Sequence, residues 1–66
     1  MSVLQPYQQR VVQERDELQE KVGKLAEFVR SPGFADVATD DRTLLLEQYQ
    51  AMTEYVIILS RRIARF

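Results

Sequence analysis

Ser31-Pro32-Gly33 decides how this chain folds, because a helix cannot run through it. Pro32 holds Ser31 away from helical angles, and Gly33 loosens the turn. Upstream, Leu4, Val11, Leu18, Val22, Leu25 and Val29 fall on one 3,4-spaced stripe. Downstream, Leu45, Tyr49, Met52, Val56, Leu59, Ile63 and Phe66 fall on another. Such spacing lines up side chains along one side of a helix. The chain is therefore predicted to be all-α, an antiparallel two-helix hairpin forming a single domain over residues 1–66. Helix one covers about residues 5–30, the turn 31–39 and helix two about 40–65. Each helix would be roughly 35–40 Å long, and the matched lengths suit a hairpin.

Local signals agree. After a lead-in over residues 1–5, Pro6 fits a first helical turn, where its missing N–H costs nothing. Thr39 is the expected N-cap of helix two, followed by Asp40 and Asp41 at the positive end of the helix dipole. Phe34, Ala35 and Val37 are placed to plug the turn end of the hairpin. Gly23 weakens helix one by about 1 kcal/mol relative to alanine; it either admits a close neighbour or is simply tolerated.

A pair of helices has no enclosed centre. A chain of 66 residues buries only roughly 60% of its unfolded surface. Small scaffolds make up the shortfall with disulfides, a metal or self-association. Cysteine and histidine are both absent, so disulfides are excluded and the usual zinc and iron ligands are missing. Association remains. Helix two supports this, since Leu44, Leu46, Tyr55, Ile57 and Ile58 lie off its stripe and read as contacts between copies. A homo-oligomer is expected, with its function between subunits.

Nine basic and ten acidic residues leave a net charge of −1, which is no footprint for duplex nucleic acid or an anionic membrane. Val3-Leu4 is too short for a signal peptide, and Tyr55 to Leu59 is far below a membrane span. A soluble, cytosolic product is expected. Glycine-rich phosphate loops, nucleophile elbows and histidine bases are missing, so the chain reads as no enzyme, without a cofactor.

The seam register of helix one runs 4, 8, 11, 15, 18, 22, 25, 29, with Gln8 and Arg15 as its polar members. Such residues fix register or partner choice; Arg15 could instead face a ligand or a subunit interface. Glu17 with Lys21 and Glu20 with Lys24 are i,i+4 pairs of an ordinary solvated face. The end of the hairpin away from the turn carries a stronger pattern. Arg61, Arg62 and Arg65 return beside Tyr7 and Arg10, near Gln5, Gln8 and Gln9. Basic residues at a helix C-terminus partly serve its dipole. A tyrosine among arginines is also a chemical set for a nucleotide, because the ring stacks on a base and guanidinium groups grip phosphate. Copies meeting around an axis would turn this end into a compact basic pocket.

Tyr7-Gln8-Gln9-Arg10-Val11-Val12, Glu14-Arg15, Glu17-Leu18, Glu20-Lys21, Lys24-Leu25 and Phe28-Val29 resemble one family of phage hairpin proteins. Phe34, Gln48, Met52, Tyr55, Leu59 and Arg62-Ile63 agree, so the resemblance covers about residues 6–66. It is to the helical hairpin domain of the phage anti-CBASS and anti-Thoeris sponges. Members bind second-messenger nucleotides of bacterial immunity and hold them without cleavage. The anti-CBASS members are hexamers with cyclic dinucleotides between paired subunits, and some hold cyclic trinucleotides at three-fold positions. The resemblance implies Tyr7 and Lys21 for the dinucleotide pocket, with Lys24 as the alternative lysine. Arg10, Arg61 and Arg62 are nominated for a three-fold pocket, mainly from the basic end. The implied function is phage immune evasion in the cytoplasm of the infected bacterium. The rival reading is a coiled-coil hairpin that binds a host protein.

Overall fold

The computed structural model describes residues 3–66; Met1 and Ser2 of the expected lead-in lie outside the described residues. Helix α1 spans Pro6–Val29, a 3₁₀ turn spans Pro32–Asp36, and helix α2 spans Thr39–Ala64. The helices lie antiparallel in a rod of 50 × 15 × 14 Å. The hairpin expected from the two stripes is present.

Both ends of α1 follow from side chains. Gln5, extended, precedes Pro6, and its backbone N–H donates to Gln8 Oε1 at 2.8 Å. Gln8, a polar seam member, thereby closes the first turn. At the other end, Ser31 donates to the Phe28 carbonyl through both Oγ (2.6 Å) and its backbone N–H (3.0 Å). Pro32 then opens the 3₁₀ turn. Phe34 and Val37 are half-buried there, and the Phe34 ring meets Phe28 edge-on at 6.1 Å. They plug the turn end as their composition implied.

Two local expectations are corrected. Thr39 is not the N-cap of α2; Ala38 takes that place and Thr39 is already helical. The Thr39 hydroxyl accepts from Arg42 Nη2 at 3.1 Å, so it is engaged by a side chain rather than by the first-turn amides. Gly33 does not use a positive φ. A Cβ there would meet only Ser31 Oγ at 3.7 Å and Phe28 Cε1 at 3.8 Å, so the turn depends on Pro32.

Every expected seam position turns inward. Val11 and Leu59 are buried, at 8% and 0% exposure, and the remaining members of both stripes are half-buried. Arg42 extends the α2 register by one step, and its Nε is buried without a partner. Outside the seam, Leu44, Leu46, Tyr55, Ile57 and Ile58 are exposed. The accessible surface is 5242 Å², against about 4,300 Å² for a compact chain of this mass. The radius of gyration is 15.2 Å, against about 11 Å for a compact domain of this length.

Replacing Leu59 by alanine should cost about 2–5 kcal/mol, since the largest fully buried side chain would leave a cavity. Gly23 has nothing within 4 Å of a built Cβ. Gly23→Ala should therefore gain about 1 kcal/mol, and thermal unfolding followed by circular dichroism reads both changes.

Candidate functional site

A seam with period 3.5 also orders the residues beside it. On α1, Tyr7, Glu14, Lys21 and Phe28 recur at seven-residue intervals along one flank of the seam. On α2, Asp41, Gln48, Tyr55 and Arg62 hold the equivalent positions. In an antiparallel pair these rows face each other. Two contacts anchor the register: the Tyr55 hydroxyl donates to Glu14 Oε2, and the Tyr7 ring meets Phe66 edge-on at 6.2 Å and 73°. Lys21 accordingly lies opposite Gln48, and Tyr7 lies level with the last turn of α2.

The open end gathers Tyr7, Arg10, Arg61 and Arg62. Tyr7 is 55% exposed although its ring packs against Phe66. Arg10, Arg61, Arg62 and Arg65 are exposed, and among the described residues none has an ion-pair partner. The first turn of α1 holds no acidic residue, so its positive dipole end adds to this charge.

The lysines are elsewhere. Lys21 lies about 21 Å along the axis from Tyr7 and Lys24 about 26 Å, much farther than a base lies from its own phosphate. One chain does not bring Tyr7 and either lysine onto one nucleotide. The expected Glu17–Lys21 pair is also absent: Glu17 accepts from Gln13 Nε2 at 3.1 Å instead. Lys24 does pair with Glu20, at 3.4 Å, both ends well exposed. Lys21 is thus without an ion-pair partner among the described residues. Arg15 turns sideways to Asp16 at 2.9 Å.

Three participants escaped the sequence reading. Tyr55 was read as a subunit contact and Glu14 was given no role, yet the two bridge the helices, with the Tyr55 ring still 41% exposed. Their shared seven-residue row was the available signal. Phe66 was read only as seam, but it supports the Tyr7 ring. Beyond this end, a shallow groove of about 180 Å³ near the turn is lined by Ala26, Val29, Arg30, Leu46 and Tyr49. Among the described residues, no helix is long and apolar enough to cross a membrane.

The Tyr55 phenol is held above its ordinary value of 10.0, first by its hydrogen bond to Glu14, then by desolvation and the Glu14 charge, against the pull of Arg62. A raised folded value favours the neutral phenol. Its contribution is complete below pH 10.0 and is lost as pH rises through the raised folded value. Tyr55→Phe should therefore remove part of the alkaline loss of stability, measured as the difference from the parent in urea unfolding between about pH 8 and about pH 11.

Comparison with known proteins places the chain. The model of the Sequestin family matches residues 5–65. An uncharacterized 7.5 kDa protein in the denB-rIIB intergenic region of Enterobacteria phage T4 is 40% identical over 60 residues, covering 91% of this chain and 94% of that protein. No solved structure matches. The chain belongs to the Sequestin family.

Proposed function

We propose that this Sequestin-family chain captures cyclic oligonucleotide messengers and holds them uncleaved in the cytoplasm of a phage-infected bacterium. Cyclic dinucleotides are the first ligand class and cyclic trinucleotides the second, and their removal blunts CBASS-type antiviral signalling. The family name points to sequestration, and a relative is encoded by a phage. The observation that carries the reading is the open end, where a half-exposed Tyr7 shares the tip of the rod with exposed arginines that, among the described residues, have no ion-pair partner.

Capture requires copies, six in the assembly that the resemblance implies. Tyr7 and Lys21 lie on one row of α1, two seven-residue intervals apart. An antiparallel second copy brings Tyr7 of one chain beside Lys21 of the other, so that a base stacks on the ring while the ammonium group neutralises phosphate. Lys24, already paired with Glu20, is the weaker phosphate partner. Arg10, Arg61 and Arg62 hold the second ligand class where several open ends meet. A rival reading, docking of a host protein, draws on the exposed Leu44, Leu46, Ile57 and Ile58.

Tyr7→Ala should lose base stacking worth about 1–3 kcal/mol, hence roughly 10-fold or more in affinity, while Tyr7→Phe retains most of it. Calorimetry with a panel of cyclic di- and trinucleotides reads the change. Ligand released by proteolysis of the complex should return intact. Undiminished dinucleotide binding by Tyr7→Ala would remove Tyr7 from the site. Degraded ligand would point to an enzyme, and no retention at all to the host-protein reading.

A further inference from the structure

The apolar surface that the hairpin leaves uncovered on α2 has a regular form. Leu44, Ala51 and Ile58 recur at seven-residue intervals in one exposed column outside the seam. Leu44 is 60% and Ile58 53% exposed, and small Ala51 stands midway between them. The charges of the helix are polarised about the same midpoint. Asp40 and Asp41 occupy the first turn, and Arg61 and Arg62 the last. Among the described residues none of the four has an ion-pair partner.

We propose that a second copy of this chain docks antiparallel on this face of α2, about a two-fold axis through Ala51. This deepens the self-association on which the functional reading rests, and it names the face. Leu44 of each copy then packs against Ile58 of the other, and the two alanines let the backbones approach at the centre. Asp40 faces Arg61 of the second copy, and Asp41 faces Arg62. The acidic start of each helix meets the basic end of its neighbour, and the helix dipoles oppose. A parallel copy would set aspartate against aspartate and arginine against arginine. The antiparallel register does place Glu47 opposite Glu54 of the second copy, on the outer rim, where water and salt screen the repulsion. Each guanidinium has five N–H donors, so Arg61 and Arg62 retain donors for an anion.

The chain has no cysteine, so single cysteines report the contact without background. A disulfide forms only where Cα atoms come within about 7 Å. Under mild oxidation Ala51→Cys should link to itself as a covalent dimer. Leu44→Cys and Ile58→Cys should stay unlinked alone and join when mixed. Self-linking of Leu44→Cys at the rate of Ala51→Cys would overturn the antiparallel register. In parallel, Arg61→Asp should weaken association several-fold, and adding Asp40→Arg should restore it; failure of that rescue in a helical protein also counts against the arrangement. Sedimentation and cyclic dinucleotide binding on the same samples separate the two claims. An oligomer that binds nucleotide but leaves Ala51→Cys unlinked overturns this interface alone, whereas a monomer overturns the shared pocket as well.

Discussion

A helix with one partner buries one stripe, and that constraint governs this molecule. The seam is regular over both helices, yet Leu59 is its largest fully buried side chain and most members stay half in water. Burial of apolar surface is the main favourable term in folding, at about 25 cal/mol per Å². A rod of two helices realises little of it per residue, while each ordered residue still costs about 1–2 kcal/mol of backbone entropy. The apolar residues outside the seam follow from the same constraint. Ile57 and Ile58 destabilise nothing in a lone hairpin, but they leave unused stabilisation that only another surface supplies.

How much was legible from the residues depended on the energy behind each feature. The seam positions were legible because a misplaced leucine or valine forfeits about 1.5–3 kcal/mol of burial. Pro32 was legible because its ring is incompatible with a continuing helix. The exposed polar pairings were less so. Glu17 chose Gln13 over Lys21, and such alternatives differ by only about 0.2–0.5 kcal/mol. Thr39 failed as a cap for a similar reason, since its hydroxyl had a competing donor in Arg42. Tyr55 bridging to Glu14 required the exact antiparallel register, which two stripes define only once the turn length is known. The resemblance joined Tyr7 with Lys21 or Lys24 in one pocket, yet the hairpin sets them apart within one chain. Tyr7, Arg10, Arg61 and Arg62 share the open end, and the lysines sit several turns away.

Polar residues in the seam add uniqueness at some cost in stability. Gln8, Arg15 and Arg42 each occupy a position that a leucine would fill with more burial. Gln8 closes the first turn of α1, Arg15 leans to Asp16, and Arg42 reaches Thr39 while leaving Nε unpaired. Shifting α2 along α1 by one turn would move these groups against new neighbours and disengage Tyr55 from Glu14. Register in turn decides which residues share a level, so the composition of the open end depends on these seemingly unfavourable choices.

For the anionic ligand proposed above, symmetry would reconcile capture with a net charge of −1. Total charge limits long-range attraction, but a small ligand responds to charge within about a Debye length, roughly 8–10 Å. Arg10, Arg61, Arg62 and Arg65 occupy one end of a rod 50 Å long, and Asp36, Asp40 and Asp41 lie at the other. Separation along the rod therefore gives an almost neutral chain a basic end. Joining such ends multiplies the local positive charge, while the acidic ends can remain apart or meet arginines of other copies. Two distinct two-fold contacts, one along α1 and one along α2, would alternate around a closed ring with an even number of chains. In such a ring the apolar faces supply cohesion and the polar flank remains for recognition, a division that two short helices cannot make alone.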